Sequence, residues 1–501
     1  MINLEWALFW RPTANRAALV AFVLTLGGAL FSGHAHLQRQ QLALAQVTDH
    51  ETQALAEARE NARRLDSGEL TSIGTRSDPR EAANFGNQVM VTYAVRPPQP
   101  LAIASVGQSD LHARYVRLNL GPRDKALGSV ELSNPEATLS GPFDLAFVIV
   151  YLLPLVVIAL GHGIGASERE RGTAFLLAVS TPQPPHIWRQ RLMLRLGAVL
   201  VPALAAIVVA ALMAPAATRG ASAVPAWLLF GTLTTIQVLF WGGITGLVAS
   251  RARSAQTSAL QLVSVWLLML VVVPAIANVV ARSVAPVPSR AEFIQGLRDA
   301  TDGVEARRAQ VLDRFFFDHP ELAHGGVEAN AVPAALARLI TTRAVEAEAA
   351  QIDARYSAQL NRQQRVIDAF QIVAPPLALQ SAFDRLAATD FAWQRDFVAQ
   401  TVRHHDQLRD FFEPLLAAAG PSPRTSTSPD AGSLPPSANP GARAHFAFPR
   451  FQYETPPALA LPTPASGLGA LVMALLGGVL LWRMAATATV APRVSRPIVP
   501  V

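Results

Sequence analysis

The stretch that decides the fold runs from Phe143 to Pro182: FDLAFVIVYLLPLVVIALGH (143–162), then GIGASERERGTAFLLAVSTP (163–182). Its first half carries a single charge, Asp144, at the edge of an otherwise apolar run. About 20 such residues in a helix cross the hydrocarbon core of a bilayer. The second half turns abruptly into Ser167-Glu168-Arg169-Glu170-Arg171, a glycine, a short apolar run and a proline, which no membrane core would accept. A membrane span therefore ends here and a polar segment begins at the surface.

Working outward, five further stretches have the same character: Ala17 to Gly33, Leu192 to Ala217, Pro225 to Ser250, Ser254 to Ala281 and Ala465 to Trp482. Only Arg195, near one end of its stretch, interrupts them with a charge inside a 26-residue run. A mid-bilayer Arg or Asp costs roughly 2.5 to 3.5 kcal/mol on insertion scales, so the near absence of central charge points to six transmembrane helices. The whole composition agrees. The chain has 501 residues, 51% of them hydrophobic and only 16% charged, against about a quarter charged in an ordinary soluble protein. Its mean hydropathy is +0.27.

Of the 42 basic residues all but Lys125 are arginine, and their placement predicts orientation. Arg11 and Arg16 precede the first span. Arg169, Arg171, Arg189 and Arg191 lie between the second and third, Arg251 and Arg253 between the fourth and fifth, and Arg483, Arg493 and Arg496 after the sixth. Only Arg219 occupies the short loop on the other side. By the positive-inside rule both termini are cytoplasmic, and two long segments, His34 to Pro142 and Arg282 to Pro464, are extracytoplasmic. The first span has a rival reading as a cleaved signal peptide, with Gly33-His34-Ala35 as a small-x-small site, but its apolar run is longer than a signal h-region.

Within the first long segment, Leu37 to Leu65 has apolar residues at helical spacing, whereas Val89 to Tyr93 and Tyr115 to Leu118 alternate and are β-branched, predicting a few strands. The second is mainly helical. Ser289 with Glu292 is a capping box opening a helix to about Phe317. A long helix is expected from about Ala334 to Val373, and another from about Leu377 to Leu416. Residues 420–442, dominated by Pro, Ser, Gly and Thr, read as a flexible linker, and Phe446 to Tyr453 as an aromatic stretch at the membrane interface.

Chemistry is largely excluded. With no cysteine there is no disulfide, thiolate metal site or cysteine nucleophile. The lone lysine sits in Arg123-Asp124-Lys125-Ala126, so no P-loop exists and any ATP hydrolysis belongs to another chain. His34 with His36, His319 with His324, and His404-His405-Asp406 lack metal-ligand spacing and read as polar surface. A net charge of +6 without a dense basic block argues against nucleic acid. No catalytic or cofactor-binding residue is expected.

The segment 163–191 is the sharpest local pattern. Ser167 with Glu170 forms a capping box that would start a short charged helix, Gly172 permits a break, Thr173 can cap a second turn, and Phe175, Leu176 and Leu177 offer an apolar face before Pro182. Such a segment can dock in a groove of a cytoplasmic partner. The plain alternative is an interfacial loop stabilised by its own ion pairs.

This pattern resembles the signature of ABC-2 type transporter permeases, in which a second membrane helix is followed by E-x-E-x-G-T, an apolar-Leu-Leu segment and proline. Those positions are Glu168, Glu170, Gly172, Thr173, Leu176, Leu177 and Pro182. The chain is more narrowly similar to a bacterial branch with two large extracytoplasmic loops and a domain of unknown function. The carrying residues are Asp144 to Val148, Tyr151 to Pro154, Pro97-Pro98, Pro100 to Ala102, Gly107-Gln108, and Glu5-Trp6 with Arg11 in an amino-terminal interfacial helix (1–16). The resemblance implies a permease subunit in a bacterial inner membrane that pairs with a second permease, identical or related. It also implies two cytoplasmic ATPase subunits, which bind ATP and Mg. Residues Glu168, Arg169, Glu170, Arg171, Gly172, Thr173, Phe175, Leu176, Leu177 and Pro182 would then form the coupling element. A membrane-anchored scaffold or sensor, binding a partner through its extracytoplasmic helices, is the competing reading from another class.

Overall fold

A computed structural model describes residues 2–74, 77–109, 112–123, 143–174, 184–215, 223–287, 289–320, 332–418 and 440–487. Most of the 420–442 linker and the tail beyond residue 487 lie outside them.

The chain starts with α1 (Ile2–Trp10), and a short turn leads into α2 (Thr13–Asp66). At 1.5 Å per residue, α2 is about 80 Å long, far more than a bilayer needs. Its buried residues show why it does not break. Leu19, Phe22, Leu26, Ala29, Gly33 and Leu37 recur at three- and four-residue spacing, and Leu55, Ala58, Ala62 and Leu65 resume it farther on. The sequence divides this element into a span and a separate amphipathic helix, yet one uninterrupted helix carries both faces.

A small antiparallel ribbon follows, β1 (Thr92–Val95) with β2 (Tyr115–Leu118), in which Thr92 faces Leu118 and Val95 faces Tyr115. The second span, α3, covers 145–161 with a π turn at Val148–Leu152, and the short α4 (Ala166–Glu170) follows it. The remaining spans are α5 (Pro184–Met213), α6 (Val224–Arg251), α7 (255–284, with a π turn at Leu268–Val272) and α13 (Pro464–Thr487). Between α7 and α13 stand α8 (Arg290–Ala306), α9 (Arg308–Asp318), α10 (Ala334–Val373), α11 (Pro375–Leu386) and α12 (Phe391–Ala418).

This is an α-helical protein with six helices long and apolar enough to cross a membrane. Phe31, Val201, Leu228, Leu260, Val279 and Trp482, each at least 65% exposed on its helix, belong to an outer apolar surface too extensive for contact with water. The second span is 61% buried within the protein and the fifth only 11%, so α3 is the central post and α7 the outermost. Gly243 of α6 and Gly477 of α13 mark a close helix crossing. A Cβ on Gly243 would stand 2.9 Å from the Gly477 carbonyl oxygen, which is why small residues occur there.

The polar helices form a head whose apolar residues continue into the core of the spans. Leu101 to Ala104 from the first long segment, and Leu379, Ala382, Phe383, Leu386 and Ala387 from α11 and its end, share one apolar core with the spans. Phe383 stacks on Phe230 of α6 with ring centroids 4.0 Å apart. Inside the head, the fully buried Arg409 of α12 holds Glu346 of α10 through bonds of 2.6 and 2.9 Å and donates to the Gly121 carbonyl at 2.6 Å.

Several expectations need correction. The helix expected to run from 289 to about Phe317 breaks at Arg307; Ser289 does cap it, accepting from the Glu292 amide at 3.1 Å. The helix expected over Leu377 to Leu416 is two, because the chain reverses at Ala388, which adopts φ +57° with no glycine to announce it. Phe446 to Tyr453 packs within the head, not at an interface with lipid. Phe446 and Phe448 meet Phe85, while Phe451 and Tyr453 meet Phe397.

Candidate functional site

The charged segment after α3 is built as a turn and a single short helix. Gly165, at φ +73°, turns the chain out of α3, a conformation that side chains with a Cβ resist. It is therefore Gly165 that occupies the N-cap of α4, and Ser167 lies inside the helix with no capping bond. The Ser167 and Glu170 capping box expected from the sequence does not form, since the glycine starts the helix two residues earlier. Ile164 and Ala166 are buried and anchor the turn.

Each charge of α4 then meets a different helix. Glu168 pairs with Arg191 of α5, and the same guanidinium reaches Glu5 of α1 at 2.8 Å. Arg169 donates to the Ala252 carbonyl at 2.9 Å and to that of Ala249, and lies over Trp188 with 5.6 Å to the ring centroid. Those carbonyls close the C-terminal end of α6, where helix geometry leaves acceptors unsatisfied and favours a cation. Glu170 accepts from the Ala255 amide at 3.0 Å, the first residue of α7, where the helix end favours an anion. Arg195 of α5 donates to the Leu160 carbonyl at the end of α3.

Three residues of α4 thus bond it to α5, α6 and α7, and α5 in turn holds α1 through Arg191 and the end of α3 through Arg195. Glu168, expected to offer a polar contact outward, is engaged inside the chain, as the plain reading of a loop with its own ion pairs also anticipates. Glu170, Arg171, Gly172 and Thr173 are exposed on the outer edge. Gly172 has φ +73° and turns the chain away, and the Thr173 hydroxyl reaches back to the Glu168 carbonyl at 3.4 Å. Phe175, Leu176, Leu177 and Pro182 lie outside the described residues. Arg191 and Trp188 were not singled out from the sequence as partners of this element, and their arrival is decided by tertiary packing.

The far end of α3 carries a second polar cluster. Asp144 caps the helix, accepting from the Phe147 amide at 2.7 Å, and its other oxygen accepts from Val106 at 2.7 Å. Alongside, Asp384 of α11 accepts from the Ser105 hydroxyl at 2.7 Å and from Gln380 at 2.9 Å. Burial pushes the Asp384 carboxyl up to about 7; the Asp144 carboxylate pushes the same way, and the hydrogen bonds from Ser105 and Gln380 oppose it. Asp144 and Asp384 thus make a buried joint between head and spans.

His404 and His405, expected as polar surface, are instead buried in the packing of the head, and His324 lies outside the described residues. His405 donates its Nε2–H to the Asn119 carbonyl, 2.7 Å away, and burial lowers its pKa to about 4; His404 lies against Phe451. Among the described residues no group of three or more His, Asp or Glu side chains is placed to hold a metal ion.

Residues 290–422 match a family model described as a domain of unknown function, DUF3526. That stretch covers the head helices α8 to α12. No curated protein and no solved structure matches the chain.

Proposed function

We propose that this chain is the membrane-spanning permease subunit of an ATP-binding cassette transporter of the ABC-2 type, exporting its cargo across a bacterial inner membrane. The observation that carries the reading is the position of α4. Its outer edge, Arg171 to Thr173 with the outward side of Glu170, is exposed, and Glu168, Arg169 and Glu170 bond it to α5, α6 and α7. A force applied at that edge is transmitted by hydrogen bonds to α5, α6 and α7 and through α3 to the Asp144 joint at the head. The resemblance of Glu168, Glu170, Gly172 and Thr173 to the family signature supports the same assignment.

On this reading both termini and α4 are cytoplasmic and the head is extracytoplasmic. A separate ATPase supplies ATP and Mg binding, and it contacts Glu170, Arg171 and the apolar Phe175 to Leu177. A second permease, identical or related, completes the pathway. The contribution of this chain is mechanical: it converts closure of the ATPase pair into movement of the spans, with no covalent chemistry of its own.

The test is a pair of substitutions on the exposed edge. Glu170→Arg reverses a charge that faces the Ala255 amide and the solvent, and Gly172→Leu places a Cβ at φ +73°. Both variants are expected to insert normally and to lose cargo-stimulated ATPase activity by at least tenfold in the reconstituted complex. Full stimulation in both would refute the assignment of this edge as the coupling contact.

A further inference from the structure

α1 lies beside the first and third spans without closing the space between them. Phe9 is buried at 3% exposure and Asn15 donates to its carbonyl at 2.9 Å, which fixes the turn into α2. Trp6 and Trp10, ring centroids 5.6 Å apart, remain 45% and 37% exposed. Between them and the spans is a groove of about 480 Å³, walled by Leu19 and Val23 of α2 and by Leu194, Val201 and Pro202 of α5. Its volume falls in the roughly 300 to 1,000 Å³ range of clefts that hold ligands. Gly197 forms part of the floor, and a Cβ built there meets nothing within 4 Å.

What the groove accepts follows from its lining and its rim. The wall is aliphatic and indole, so the occupant is a flexible hydrocarbon chain. Two tryptophans at one end of a span place that end at the level of lipid headgroups. Arg11 adjoins Trp10, and Arg16 begins the next turn; both are exposed and neither forms an ion pair among the described residues. The one acidic residue of α1, Glu5, is turned to Arg191 and does not neutralise them. Arg11, next in the chain to the lining Trp10, and Arg16, one turn before the lining Leu19, bring positive charge to the end of this apolar slot and complement a lipid with a negative headgroup.

We propose that this groove binds one acyl chain of an anionic phospholipid, with its phosphate received by Arg11 and Arg16. The site is independent of the transport reading and stands or falls separately. Because α1 is tied through Glu5 to Arg191 and so to Glu168, the bound lipid sets the position of α1 against α4.

The experiment uses the full chain in nanodiscs of unlabelled phosphatidylcholine, into which increasing fractions of brominated phosphatidylglycerol or brominated phosphatidylcholine are mixed. Bromine quenches indole fluorescence at contact, and the Trp6→Phe/Trp10→Phe chain gives the background from the other six tryptophans. Half-maximal quenching is expected at a mole fraction of phosphatidylglycerol on the order of tenfold lower than of phosphatidylcholine, from the attraction of two arginines for an anionic headgroup. Arg11→Gln/Arg16→Gln should abolish that preference. Gly197→Leu, which fills open space, should reduce quenching by either lipid to simple proportionality with its fraction. Equal quenching by the two lipids in the unaltered chain overturns the proposal. So does the absence of Trp6 and Trp10 quenching, the result if a protein helix fills the groove, or a preference that survives Gly197→Leu.

Discussion

Phe383→Ala isolates the joint between the head and the spans. Phe383 is fully buried on α11, and its ring stacks on Phe230 at 4.0 Å, flanked by Leu379 and Leu386. Truncating a buried phenylalanine costs about 3 to 5 kcal/mol through lost burial and the remaining cavity, of which the aromatic pair supplies about 0.5 to 1.5 kcal/mol. The loss falls on the docking of α11, since the Arg409 and Glu346 pair of the head is untouched. At about 1.4 kcal/mol per tenfold, a loss of about 4 kcal/mol makes opening of α11 several hundred-fold more frequent, up to the limit set by global stability. Hydrogen exchange followed by mass spectrometry on the reconstituted chain reads this directly. Amides of 377–387 should exchange at least a hundredfold faster in the variant, while those of β1 change by less than about threefold. Adding Phe230→Ala should cost less than its own single effect, by about 1 kcal/mol, because the ring contact is already gone. An increase below tenfold over 377–387, or an equal increase over β1, would refute α11 as the local fastening of the head.

Other consequences follow from the same geometry. The Asp384 carboxyl, raised to about 7, binds its proton more tightly in the folded state than in the unfolded one, so the fold loses stability as pH rises from about 4 through 7. Thermal melts should therefore fall between pH 4.5 and 8 in the unaltered chain and flatten in Asp384→Asn, a difference of at most about 4 kcal/mol. Arg191→Met removes the shared partner of Glu5 and Glu168, both about four-fifths buried, and should cost about 1 to 3 kcal/mol in the attachment of α1. Faster exchange of α1 amides, with those of α13 unchanged, would display it.

How much of this was legible in the sequence differs by element. The six spans were, because a bilayer admits only long runs without central charge, and such runs are visible in one dimension. The ends were harder. α2 was divided at Gly33 because polarity changes there, but a helix continues wherever its backbone bonds are satisfied, and the buried spacing from Leu19 to Leu37 passes through the change. The motif from Glu168 to Thr173 was legible as a pattern and not as an arrangement. Ser167 and Glu170 have capping-box spacing, yet Gly165 supplies the positive φ that starts the helix earlier. Arg169 and Glu170 find their partners at Ala252 and Ala255, more than 80 residues away, at helix ends whose dipoles no local window contains. The α11 docking was hidden for the same reason: Leu379 and Phe383 have ordinary helical spacing, and only packing shows that they join the core of the spans, Phe383 on Phe230 of α6.

The central claim, that this chain works as the permease of a transporter powered by another chain's ATPase, is tested most directly by stoichiometric copurification. The full chain, tagged and expressed in its native host, is extracted in mild detergent and isolated, and any P-loop ATPase recovered with it is quantified. A complex with the ATPase, weakened at least tenfold by Glu170→Arg, is the expected result. Quantitative recovery of the inserted chain free of any P-loop protein would contradict it.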